Sequence, residues 1–200
     1  ILPKTKYKMS CSLTRSRAEA CKDSVAGIKE IYLVDFGGLG TVTLGSSDEV
    51  TDITGSSSNA ITAQKYELKG NNSFETTVQA SRENGTVFFE QTLNITLKKL
   101  TKEDHKELKL LSAGRPHIFV RDKNDNILLM GRENGADLTE GTVSTGNALG
   151  DFNGYNYTFV AQESTPPNFC TVGAPTVNNY PLTFSGLSGD NTTIGTPVQV

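Results

Sequence analysis

At 200 residues the chain has room for one domain with arms and is short for two, since domains commonly hold about 100 to 150 residues. Hydrophobic residues make up 36% and charged residues 20%, while 24 Thr, 19 Gly, 16 Ser and 15 Asn give the polar, turn-rich composition of a β protein and disfavour a helical bundle. The net charge of −3 argues against a surface that grips nucleic acid, and no apolar run reaches the roughly 20 residues that cross a bilayer, so a soluble chain without export signal or membrane segment is expected.

Residues 1–27 are polar and irregular, with Lys4, Lys6 and Lys8 ahead of Met9, and read as an N-terminal arm. Ile28 to Phe36 (IKEIYLVDF) is the first strand, closed by a glycine pair. The Gly/Ser/Thr-rich stretch 37–60 is longer than an ordinary connection and reads as a long loop with weak strand signals at Thr41 to Leu44 and Val50 to Ile53. Strands follow at Ala63 to Lys69 and Phe74 to Ser81. The second alternates Phe74, Thr76, Val78 and Ala80 with Glu75, Thr77, Gln79 and Ser81. Asn84-Gly85 marks a tight turn, after which Val87, Phe89, Gln91, Leu93, Ile95 and Leu97 alternate with polar residues, making a long hairpin with one wet face.

Thr101-Lys102-Glu103-Asp104 resembles a capping box, Leu108 and Leu111 form a stripe, and Gly114 with Pro116 supplies a stop, so one helix is expected at about 101–113. Its lysines, with Lys98 and Lys99, read as a solvated outer side. Strands return at His117 to Arg121, Ile127 to Arg132, Ala136 to Val143 and Tyr155 to Glu163. Past Pro166-Pro167 periodicity is lost, and 164–200 reads as a C-terminal arm or appendage. The compact core is thus expected at 28–163.

Few residues suit chemistry. Cys11, Cys21 and Cys170 are an odd number without CxxC spacing and read as free thiols. Five Asn-x-Ser/Thr sequons are little more than so much Ser, Thr and Asn gives by chance. His105 and His117 have no partner at a recognised motif spacing, so no catalytic residue is expected. Gly37-Gly38-Leu39-Gly40 leads into a strand-like run where a phosphate loop would lead into a helix. Asp122-x-Asn124-x-Asn126 with Glu133 mimics a calcium loop but has Ile127 where the sharp-turn glycine belongs, so a hairpin turn is expected, with no metal and no cofactor.

This order of parts resembles the bacteriophage tail tube protein family. The resemblance is carried by NGTVFFEQTLNITL (84–97) running into LTKEDHKELKLLSAG (100–114) and by Thr145 to Glu163, and it covers the core but neither arm. It implies an antiparallel β-sandwich or part-barrel with one flanking helix and extended arms. It also implies a non-enzymatic subunit of homo-hexameric rings that stack into the conduit for genome ejection, located in the virion tail after assembly in the host cytoplasm. The implied partners are further copies of the chain and other tail proteins, with DNA passing without specific binding. If the polar faces of the long hairpin line the bore, Glu75, Thr77, Gln79, Glu90, Thr92 and Asn94 would meet DNA as a repulsive wall. Val42, Leu44, Val50 and Ile53 would be the anchors of a 37–60 loop reaching to an adjacent ring. The alternatives are another ring, connector or decoration protein on the same fold, or a non-viral β-sandwich binding module.

Overall fold

The computed structural model describes residues 24–54 and 63–171, with single positions at 17 and 22. Most of the expected N-terminal arm with Cys11 and Cys21, loop residues 55–60 and the tail beyond 171 lie outside the described residues. The elements in chain order are β1 (Ile28–Val34), β2 (Val42–Leu44), β3 (Val50–Ile53), β4 (Ala63–Glu67), β5 (Ser73–Ser81) and β6 (Thr86–Lys98). Then come α1 (Lys102–Ala113), β7 (His117–Asp122), β8 (Ile127–Met130), β9 (Asp137–Ser144), β10 (Gly154–Glu163) and β11 (Asn168–Phe169). Among the described residues the fold is mainly β and antiparallel with one helix, and its sheets stay open rather than closing into a barrel.

Two sheets face each other. The first runs β11-β8-β7-β1-β4 and the second β5-β6-β10-β9. Period-two alternation decides what lies between them: Leu93 and Ile95 of β6 and Tyr155, Tyr157 and Phe159 of β10 meet Ile31 and Leu33 of β1 and Ile118 and Val120 of β7 in one core. Each fully buried side chain of this size contributes about 1.5–3 kcal/mol by leaving water. The helix flanks β9, with Leu108 and Leu111 half-buried against this core and Leu108 lying over Gly141. Thr101 caps it by accepting a bond from the Asp104 backbone N–H at 3.0 Å, and the Tyr155 hydroxyl ties the cap to the sheet through the Thr101 carbonyl.

β1 and β7 are apolar on both faces because a third layer covers the outer side of the first sheet. β2 and β3 pair as a hairpin, and Val50 and Ile53 seal a second core over Tyr32, Val34, Phe119 and Leu129. Three sequence-based expectations are corrected here. The 37–54 part of the expected long loop packs on its own chain, because Leu39, Val42, Val50 and Ile53 gain more from the outer face of β1 and β7 than from water. The chain also stays in the fold past Glu163: β11 pairs with β8, Cys170 bridges to Val50, and the Asn168 amide donates to the Asp48 carbonyl at 2.7 Å. At the other end, Val25 exchanges two bonds with the Asn124 side chain, so the chain joins the core before Ile28.

Candidate assembly surface

The outward face of the second sheet gathers the polar residues that alternation predicts. On β5 and β6, Ser73 lies opposite Asn94, Glu75 opposite Thr92, and Thr77 opposite Glu90, with Gln79 opposite Phe88. All six residues expected to line a bore therefore share one face. Far-strand pairing, which alternation within a strand does not reveal, extends it: Asn156, Thr158 and Gln162 of β10 and Asp137, Glu140 and Thr142 of β9 continue the rows. Cross-strand bonds knit the surface. Asn94 donates to Ser73 Oγ at 3.3 Å, Thr158 Oγ1 to Asn94 Oδ1 at 2.9 Å, Thr96 Oγ1 to Asn156 Oδ1 at 2.9 Å, and Gln162 Nε2 to Glu90 Oε2 at 3.1 Å. Four carboxylates stand in this face, Glu75, Glu90, Asp137 and Glu140, against Lys98 at the end of β6.

The edges of this sheet differ from those of its partner. Among the described residues, β5 and β9 have no neighbour on their outer sides. β5 runs nine residues in unbroken register, and neither strand contains Lys, Arg or Pro, the usual guards of an edge; β9 carries one bulge, at Thr139. The first sheet ends instead in the two-residue β11 and in the five-residue β4, which carries Lys65. Strand directions alternate across β5-β6-β10-β9, so β9 of one copy beside β5 of the next would again be antiparallel.

The expected loop anchors are corrected. Val50 and Ile53 are fully buried in this chain's own core and Val42 is half-buried beside them; Leu44 alone of the four is exposed.

His117, Asp122 and Cys170, three of the residues weighed for chemistry, hold parts of the fold together. The His117 ring donates from Nδ1 to the Gly131 carbonyl at 2.6 Å and accepts the Gly37 N–H at Nε2, stacked on Phe36. Burial holds its pKa below the ordinary imidazole value, and both nitrogens are satisfied in the neutral form. The bond from Gly37 places the Gly37–Gly40 turn at the start of the covering hairpin. Asp122 Oδ1 accepts the N–H groups of Asn124 and Asn126, which makes the calcium-like motif the expected hairpin turn. Burial pushes the Cys170 thiol up to about 12, away from nucleophilic character.

Sequence reasoning missed a buried ion cluster on the first sheet. The buried Glu30 carboxylate accepts from Arg121, from the Tyr32 hydroxyl at 2.8 Å and from Lys65 at 3.0 Å. Burial raises its pKa, but these bonds outweigh burial and hold it below the usual carboxylate range. The available signal was a single acid inside the apolar run of β1.

No protein-family model, curated protein or solved structure matches this chain.

Proposed function

We propose that the chain is a structural subunit that assembles edge to edge into a ring, and that stacked rings form a phage tail tube with the polar face of the second sheet lining the bore. The observation that carries this reading is the pair of long edges, β5 and β9, without Lys, Arg or Pro, on an even-stranded antiparallel sheet. Such a sheet continues in the same alternation from copy to copy, and closure removes every exposed edge, as a cyclic assembly with head-to-tail contacts requires. The six-fold count comes from the family resemblance. The wall chemistry supports the same reading. Glu75, Glu90, Asp137 and Glu140 among Thr, Asn and Gln offer no cation array for counterion release, so duplex DNA gains nothing by adhering. Sedimentation velocity tests the assembly: the expected species is six times the 21.5 kDa chain or a multiple of that, whereas a monomer that persists at high concentration overturns it.

A further inference from the structure

The geometry points to Asn84 as a site of spontaneous covalent modification: its side-chain amide is lost as ammonia by reaction with the Gly85 backbone nitrogen, leaving aspartate or isoaspartate at the tip of the β5–β6 hairpin. The chemistry needs an asparagine followed by a residue with no side chain to crowd the attack, an amide free to swing, and a backbone N–H that is not held elsewhere. Asn-Gly occurs three times in this chain, at Asn84, Asn134 and Asn153, and the fold sorts the three. Asn84 and Gly85 are both exposed in the four-residue turn between Ser81 and Thr86, and Gly85 sits at φ +63° with open space where a Cβ would stand. The Asn84 backbone N–H bonds to Ser81 Oγ at 3.2 Å, but among the described residues neither its side chain nor the Gly85 N–H has a partner. β10 ends at Glu163, opposite Phe89 of β6, so the last three pairs before the turn form a two-stranded ribbon. Such a ribbon has little stability of its own, and its tip reaches the reactive geometry by a low-cost local opening.

The other two sites are held. Asn134 donates from Nδ2 to the Gln162 carbonyl at 2.8 Å, and the Gly135 N–H that would have to attack is bonded to the Gly131 carbonyl at 3.2 Å. Gly135 is also buried, with the Arg115 carbonyl filling the place of a Cβ. Asn153 is bonded through both ends of its amide, accepting the Leu100 N–H and donating to the Thr145 carbonyl, each at 3.3 Å. Its neighbour Gly154 is buried in β10, paired with Ser144 on one side and Lys98 on the other. Closing the five-membered ring at either site first breaks these bonds, so conversion there waits on a larger opening of the fold. In the reaction at Asn84, the Gly85 nitrogen forms a bond to Asn84 Cγ while the Cγ–Nδ2 bond breaks, and the proton of the Gly85 N–H leaves with Nδ2 as ammonia. Water then opens the cyclic imide at one of its two carbonyls, giving aspartate or isoaspartate, with nothing oxidised or reduced. Either product adds one negative charge beside Glu83 to a chain whose net charge is −3, and isoaspartate also puts an extra methylene into the backbone of the turn.

Timed incubation of the purified full chain at low concentration and mildly alkaline pH tests this, read by peptide mapping with mass spectrometry and by ion exchange. In the folded chain Asn84 is expected to convert at least about tenfold faster than Asn134 or Asn153, since those two react only from opened states. In concentrated urea, where the fold no longer distinguishes them, the three rates are expected to converge. The modified chain is expected to elute with an Asn84→Asp variant. An Asn84→Gln variant is expected to stay unshifted, because its longer side chain would have to close a less favourable six-membered ring. The inference is overturned if Asn84 stays intact in the folded chain over the time in which the unfolded chain converts, if Asn134 or Asn153 converts as fast as Asn84, or if Asn84→Gln shifts equally. The reaction needs no second copy of the chain, so its outcome leaves the proposed tube where it stands.

Discussion

His117 shows how one side chain couples the layers to pH. Its neutral ring is bonded at both nitrogens, to the Gly131 carbonyl and the Gly37 N–H, so a second ring proton would face the Gly37 donor. Burial depresses its folded pKa below 6.5. The unfolded chain then takes up a proton, below about pH 6.5, that the folded chain refuses, and stability complete above that pH falls as pH drops toward the lower folded value. Urea unfolding at pH 7.5 and pH 5 should show this loss, and His117→Gln, which cannot take up the proton, should show less of it. A His117→Ala chain should lose about 1–3 kcal/mol at pH 7.5, from the buried Gly131 carbonyl left unsatisfied. Glu30 is the second residue with a large expected effect. Glu30→Ala leaves Arg121 buried without that carboxylate and should cost about 3–5 kcal/mol, measured by the same titration.

At the scale of elements, the covering hairpin β2–β3 belongs to this chain's own core. Ile53→Ala should therefore cost about 2–5 kcal/mol in the isolated chain, whereas Leu44→Ala at its exposed site should stay within about 0.5 kcal/mol; equal small effects in urea unfolding would place the hairpin outside the fold. The contrast marks what was legible beforehand. Strands β5 and β6 and helix α1 could be read because alternation, an Asn-Gly turn and a capping residue are local signals. The polar face on those strands followed from the same alternation. The third layer could not be read. IYLV in β1 and HIFV in β7 are apolar on both faces, which signals cover on both sides, but short runs do not say which segment supplies it. The β11 contact escaped for a related reason. A two-residue strand has no periodicity, and Cys170 is one buried residue behind a Pro pair that reads as a boundary.

For the whole molecule, the proposed tube requires identical copies to join β9 to β5 around an acidic, hydrogen-bonded wall. A wall of this kind should hold no duplex DNA even at low ionic strength. Replacing Glu75, Glu90 and Thr92 with Lys should create retention that weakens steeply with added salt, as measured by gel shift across a salt series. Those substitutions leave the backbone edges intact, so assembly and DNA retention should separate. The most direct measurement is cryo-electron microscopy of the purified full chain at high concentration. Closed annuli are expected, with β9 of each copy paired to β5 of the next and with Glu75, Glu90 and Glu140 facing the central hole. Isolated subunits with unshared β5 and β9, or an annulus lined by the helix lysines, would contradict the account.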